Sequence, residues 1–122
     1  MKLFLVLGAI NGFLAVALGA FGAHGLEGKV TEKSLGIWEK AVNYQMFHTM
    51  ALLVTGLVIS KIQTGGLMWA GWLFFIGIVL FSGSLYIYAT SEIKTFAMIT
   101  PLGGVAFLIG WVLLGYAIVK HV

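Results

Sequence analysis

The stretch LFLVLGAINGFLAVALGAFGA, residues 3–23, holds no charged side chain and a single amide, Asn11. A helix rising 1.5 Å per residue crosses about 30 Å of hydrocarbon with a run of this length. Three further runs read the same way: residues 41–60, 67–89 and 96–119. Composition agrees, because 61% of the 122 residues are hydrophobic and only 9% are charged, where a soluble domain carries about 25% charged residues. The reading is an all-α integral membrane protein with four transmembrane helices in an up-down bundle, one domain over residues 1–122. The connections are too short for a separate extramembrane domain. Residues 3–23 also resemble a secretory signal peptide, with Lys2 ahead of them and Ala20 and Gly22 near their end. Their apolar core exceeds the roughly 7 to 15 residues usual for a signal, so they are expected to remain as a helix.

Composition excludes several classes. Disorder and a disulfide scaffold are incompatible with this apolar content and with zero cysteines, and the missing thiols also remove dithiol redox chemistry. A net charge of +3 and a pI near 9.3 then read as topology and contact with anionic lipid rather than as nucleic-acid binding. Four crossings place both termini and the loop around Lys61 on one side, with Lys2, Lys61 and Lys120 and no acid. The opposite side carries Lys29, Lys33, Lys40 and Lys94 together with Glu27, Glu32, Glu39 and Glu92. Termini in the cytoplasm of a bacterium are the expected orientation in its cytoplasmic membrane.

Leu35 and Trp38 stand at helical spacing with Ala41 and Val42 beyond, and residues 31–40 are expected to extend the second helix or lie along the interface, with Trp38 at headgroup depth. Gly65 and Gly66 precede the third helix, whose interfacial end Trp69 and Trp72 mark. Pro101 lacks a backbone donor and is expected to kink the fourth helix.

On a helical projection Gly8, Asn11, Gly12, Ala15, Gly19, Gly22 and Ala23 share an arc of about 120° on the first helix. Without a hydrophobic drive between helices in lipid, small residues permit the close approach that makes them associate. The first helix is therefore expected to be the most enclosed, or its smooth face a subunit contact. Leucine at Gly19 or Gly22 should then damage assembly more than His48→Ala.

Polar residues gather by depth. His24, Tyr44, Gln45, His48, Ser82, Ser84, Tyr86 and Thr100 all fall in the membrane half away from the termini, with Asn11 nearer the middle. Such groups do not face lipid without partners. His48 has Tyr44, Ser82 and Thr100 as candidate partners. The segment Ser82-Gly83-Ser84, like Gly103 and Gly104, is expected where helices touch.

Four strings, GAFGAHGL (residues 19–26), WEKAVNYQMFH (38–48), FSGSLY (81–86) and ITPLGGVAFLIGW (99–111), resemble those of the bacterial UPF0382 family, the domain of unknown function 423, related to the animal transmembrane protein 256. The resemblance spans essentially the whole chain in motif order. It implies a small four-helix membrane protein and carries no catalytic role to any residue.

Three functions follow as alternatives. The first is a structural, interaction or lipid-contacting protein, favoured because no helix interior carries the carboxylate that proton and cation pumps usually need. The second is a small channel or carrier assembled as a homo-oligomer. The third is a bis-histidine haem or metal protein using His24 and His48. A hydrolase is disfavoured, since no acid at the depth of Ser82 and His48 could orient the histidine. Expected partners are membrane lipids, a second copy of the chain and a membrane protein partner. No cofactor, metal or nucleic acid is expected.

Overall fold

The computed structural model describes residues 2–122. Four apolar helical stretches are long enough to cross a membrane: Lys2–Gly25, Glu32–Ile59, Gly65–Ser91 and Lys94–His121. The first two are single helices, α1 (Lys2–Gly25) and α2 (Glu32–Ile59). The third comprises α3 (Gly65–Gly77), a π-helical segment (Ile78–Gly83) and α4 (Ser84–Ser91). The fourth comprises a single turn, α5 (Lys94–Ala97), and α6 (Thr100–His121).

Local chemistry sets the ends. The hydroxyl of Thr31 accepts from the Ser34 amide at 3.1 Å, and that of Thr64 accepts from the Leu67 amide at 3.2 Å, each satisfying one otherwise unpaired donor of a first turn. Between α1 and α2 the chain turns through Gly28, whose φ of 80° is the left-handed region where a side chain would be strained. Because Thr31 caps α2, residues 31–40 continue the second helix rather than lying along the interface. Trp38 is buried, and its indole donates to the Leu18 carbonyl at 2.8 Å. It fastens α1 to α2. On the fourth span, Met98 and Ile99 form a turn, and Pro101 sits in the first turn of α6, where its missing donor costs little.

Neighbouring spans run antiparallel, as the facing residues show. On α1 and α2, Gly22 meets Trp38, Gly19 meets Val42, Gly8 meets Leu53, and Leu5 meets Gly56. Third and fourth spans interlock a phenylalanine into a glycine from alternating sides: Phe81 on Gly103, Phe107 on Gly77, Phe74 on Gly110. A glycine opposite each ring lets the backbones approach while the ring fills the gap, which is how helices gain dispersion energy in lipid. Phe4 of α1 lies against Gly71 of α3 in the same manner.

These contacts reverse one expectation. The first span is the least buried of the four and the second the most, because α1 spends its smooth face on α2 and turns Val6, Ile10, Phe13 and Val16 outward. A stripe of small residues marks a contact on one side and does not surround a helix.

Candidate functional site

The polar half resolves into side-chain bonds between spans. Asn11 on α1 accepts through Oδ1 from Gln45 Nε2 on α2 at 3.0 Å, and Gln45 Oε1 accepts from the Tyr86 hydroxyl on α4 at 2.7 Å. Three spans are thus joined by one chain of hydrogen bonds. Asn11 Nδ2 donates to the Leu7 carbonyl of its own helix, and Thr49 to the Gln45 carbonyl. Ser82 donates to the Ala41 carbonyl of α2 at 2.7 Å, while Ser84 shares a 2.6 Å bond with Thr100 of α6. Successive helical residues turn by about 100°, so two serines two apart reach opposite neighbours. Among the described residues no buried side-chain nitrogen or oxygen lacks a partner.

His48 joins the second span to the fourth. A carbonyl only accepts, so Nδ1–H donates to the Tyr44 carbonyl at 2.7 Å. An indole nitrogen only donates, so His48 Nε2 accepts from Trp111 Nε1–H at 3.1 Å. These roles require neutral imidazole with its proton on Nδ1. The ring stacks on Phe107 with centroids 3.4 Å apart. Its partner across the bundle is therefore Trp111, and neither Ser82 nor Thr100.

Beside this histidine runs a groove of about 760 Å³ between α2 and α6, walled by Tyr44, Phe47, Phe81, Phe107 and Trp111, with Asn43 and Pro101 at one end and Gly104 on its floor. Tyr44, Phe47, Val105, Leu108 and Trp111 are exposed at the bundle surface, so the groove opens sideways, where hydrocarbon would be.

The expected residues thus divide. Gln45, Tyr86, Ser82, Ser84 and Thr100 hold spans together; Tyr44 and His48 line the groove; His24 is exposed at the end of α1. Haem ligation finds no support, because both nitrogens of His48 are already engaged and an iron would need one of their lone pairs. Asn11 belongs to the polar chain although it lies nearer mid-membrane. Phe107 and Asn43 were not legible as site residues, and Trp111 reads in the sequence only as a lipid-facing or core aromatic. The spacing of Gly104, Leu108 and Trp111 along one face of α6 is the signal that could have found them.

The chain matches the family model described as "Protein of unknown function (DUF423)" over residues 18–104. It is 55% identical to a UPF0382 membrane protein of Staphylococcus aureus over 120 residues, 98% of each chain. The chain belongs to the UPF0382 family. Similar UPF0382 membrane proteins include YwdK of Bacillus subtilis, 53% identical over 99% of each chain, and one of Staphylococcus haemolyticus, 52% identical over 122 residues, 100% of this chain and 99% of its own. No solved structure matches. All four strings on which the sequence resemblance rests reach into the matched region, and the UPF0382 relatives cover the Asn11 and Trp111 ends as well.

Proposed function

We propose that the protein is a non-enzymatic, lipid-contacting protein of the bacterial cytoplasmic membrane that holds an apolar chain from the bilayer in the groove between α2 and α6. The observation that carries this is the contrast between interior and flank. Inside, no fully buried side-chain nitrogen or oxygen among the described residues lacks a hydrogen-bond partner, and those bonds are spent on joining the spans. On the flank stands a preformed aromatic trough within the range of about 300 to 1,000 Å³ common for ligand sites.

Termini in the cytoplasm remain the proposed orientation, on the acid-free basic side carrying Lys2, Lys61 and Lys120. Since the smooth face of α1 is occupied by α2, a homo-oligomer or a membrane protein partner would use the outward faces of α1 and α6.

Gly104 supplies the test. A Cβ there has Phe81 ring atoms at 3.9 Å as its nearest neighbours, so the first carbon of Gly104→Phe is accommodated and the ring is expected to enter the groove that Gly104 lines. Gently extracted protein is expected to retain phospholipid in native mass spectrometry, and Gly104→Phe to lose it while keeping its melting temperature. Equal lipid retention by both would overturn the groove as the binding site.

A further inference from the structure

Resting on the groove as a chain-binding site, we infer that its occupant is one acyl chain of an anionic phospholipid whose phosphate is held by Lys40. Two features of the structure select this occupant. The first is length. Along α6 the groove runs from Pro101 to Trp111, about 15 Å at 1.5 Å per residue. That is half of a hydrocarbon core about 30 Å thick, the depth of a single leaflet. A trough of this length takes one chain from one leaflet.

The second is charge at the mouth. Tyr44 and Phe47 form the α2 wall, and Lys40, four and seven residues earlier, lies within about 40° of both on the helix surface and about 6 Å nearer the interface than Tyr44. Lys40 is exposed. A lysine at this level extends its stem along apolar surface and presents its ammonium among headgroups. Glu39 lies about 100° around the helix from Lys40 and lines the adjoining crevice between α1 and α2, which shares Asn43 with the groove, while Glu92 lines a cleft with Lys33 and Lys94. Among the described residues no carboxylate lines the groove itself. Asn43, exposed at the same end, adds an amide donor where the glycerol esters would lie. One cation and one neutral donor above an apolar, aromatic trough complement a phosphate ester joined to an acyl chain.

The test titrates delipidated full-length protein with phosphatidylglycerol and phosphatidylcholine of identical chains, read by native mass spectrometry. The native protein is expected to favour phosphatidylglycerol about fivefold, the ratio that about one lysine near a lipid phosphate supplies. Lys40→Gln is expected to bind both lipids equally at the phosphatidylcholine level, and Gly104→Phe to weaken both. Equal binding of the two lipids by the native protein, with both weakened by Gly104→Phe, overturns the anionic headgroup and leaves the groove standing. A preference that survives in Lys40→Gln overturns the assignment to Lys40. Phosphatidylglycerol binding unchanged in Gly104→Phe overturns the groove itself. A lipid-free dimer that Gly104→Phe dissolves makes a second copy the occupant and overturns the inference.

Discussion

Among the glycines, what matters is which atom stands opposite. A Cβ at Gly103 would strike the backbone nitrogen and Cα of Phe81, which cannot rotate away, whereas one at Gly12 finds only Thr49 Cγ2 at 3.6 Å. Gly103→Ala must push the third and fourth spans apart, an overpacking that costs about 1 to 3 kcal/mol. Gly12→Ala is expected to be neutral or slightly stabilising, because alanine is the better helix former. Thermal unfolding in detergent should therefore show a loss of several degrees for Gly103→Ala and none for Gly12→Ala; the reverse order would overturn the packing described. The same logic separates Gly22, against Trp38, from Gly19, whose nearest atom is Val42 Cγ1 at 3.4 Å, although both lie on one smooth face in the sequence. Polar residues can be ranked as well. Gln45→Leu strands the Tyr86 hydroxyl and the Asn11 Oδ1, a cost of about 1 to 3 kcal/mol. Tyr86→Phe removes one interhelical bond, worth about 0.6 kcal/mol on average in membranes. Melting temperatures should fall further for Gln45→Leu than for Tyr86→Phe, and equal shifts would mean that the three-span chain of bonds does not act as a unit.

The third span carries the π-helical segment, and it is there that Ser82, Ser84 and Tyr86 are aimed at their partners. A π-turn holds one residue more than an α-turn, so the segment Ile78–Gly83 turns about as far as an α-helix one residue shorter, and removing one residue restores regular α-helix with the two halves of the span still facing as before. Val79 within the segment is exposed, so its deletion removes little packing of its own. The deletion is expected to shift the melting temperature no more than Ser82→Ala and Ser84→Ala combined, because Ser84 and Tyr86 still meet Thr100 and Gln45 while Phe74 keeps Gly110. A shift larger than the double substitution would show that the wide turn itself, and not only the faces it connects, holds the span in place. This is also where the sequence was least legible. Four spans follow from apolar length alone, since length against bilayer thickness is a local property of the chain. That Gln45, Ser82, Ser84, Tyr86 and Thr100 would be bonded between spans follows from depth and the cost of unpaired polar groups. Which partner each takes depends on helix rotation, and a π-turn over Ile78–Gly83 resets that rotation without any residue announcing it. The aromatic trough was hidden for a related reason: Trp111 reads as a lipid-facing or core ring, and nothing marks Phe107, until α2 brings His48 against both.

At the scale of the whole molecule the groove belongs to one leaflet, so orientation decides which lipid pool it meets. Its mouth, at Asn43 and Pro101, is at the end of the bundle away from both termini, beside the loop that contains Glu27. Termini in the cytoplasm would place that mouth in the outer leaflet. The chain has no cysteine, so one introduced thiol reports its own side without a background. Glu27 and His121 are both exposed and neither is a lysine, so replacing them leaves untouched the charges that bias insertion. In intact cells a membrane-impermeant maleimide is expected to label Glu27→Cys and to spare His121→Cys until the membrane is opened. The opposite pattern would turn the molecule over and assign the groove to the cytoplasmic leaflet, where anionic lipid and a basic residue meet under the negative surface potential of that face. The Lys40 contact would survive that inversion, since it depends on the depth of Lys40 above Tyr44 and not on which compartment lies beyond it. Only the source of the lipid would change.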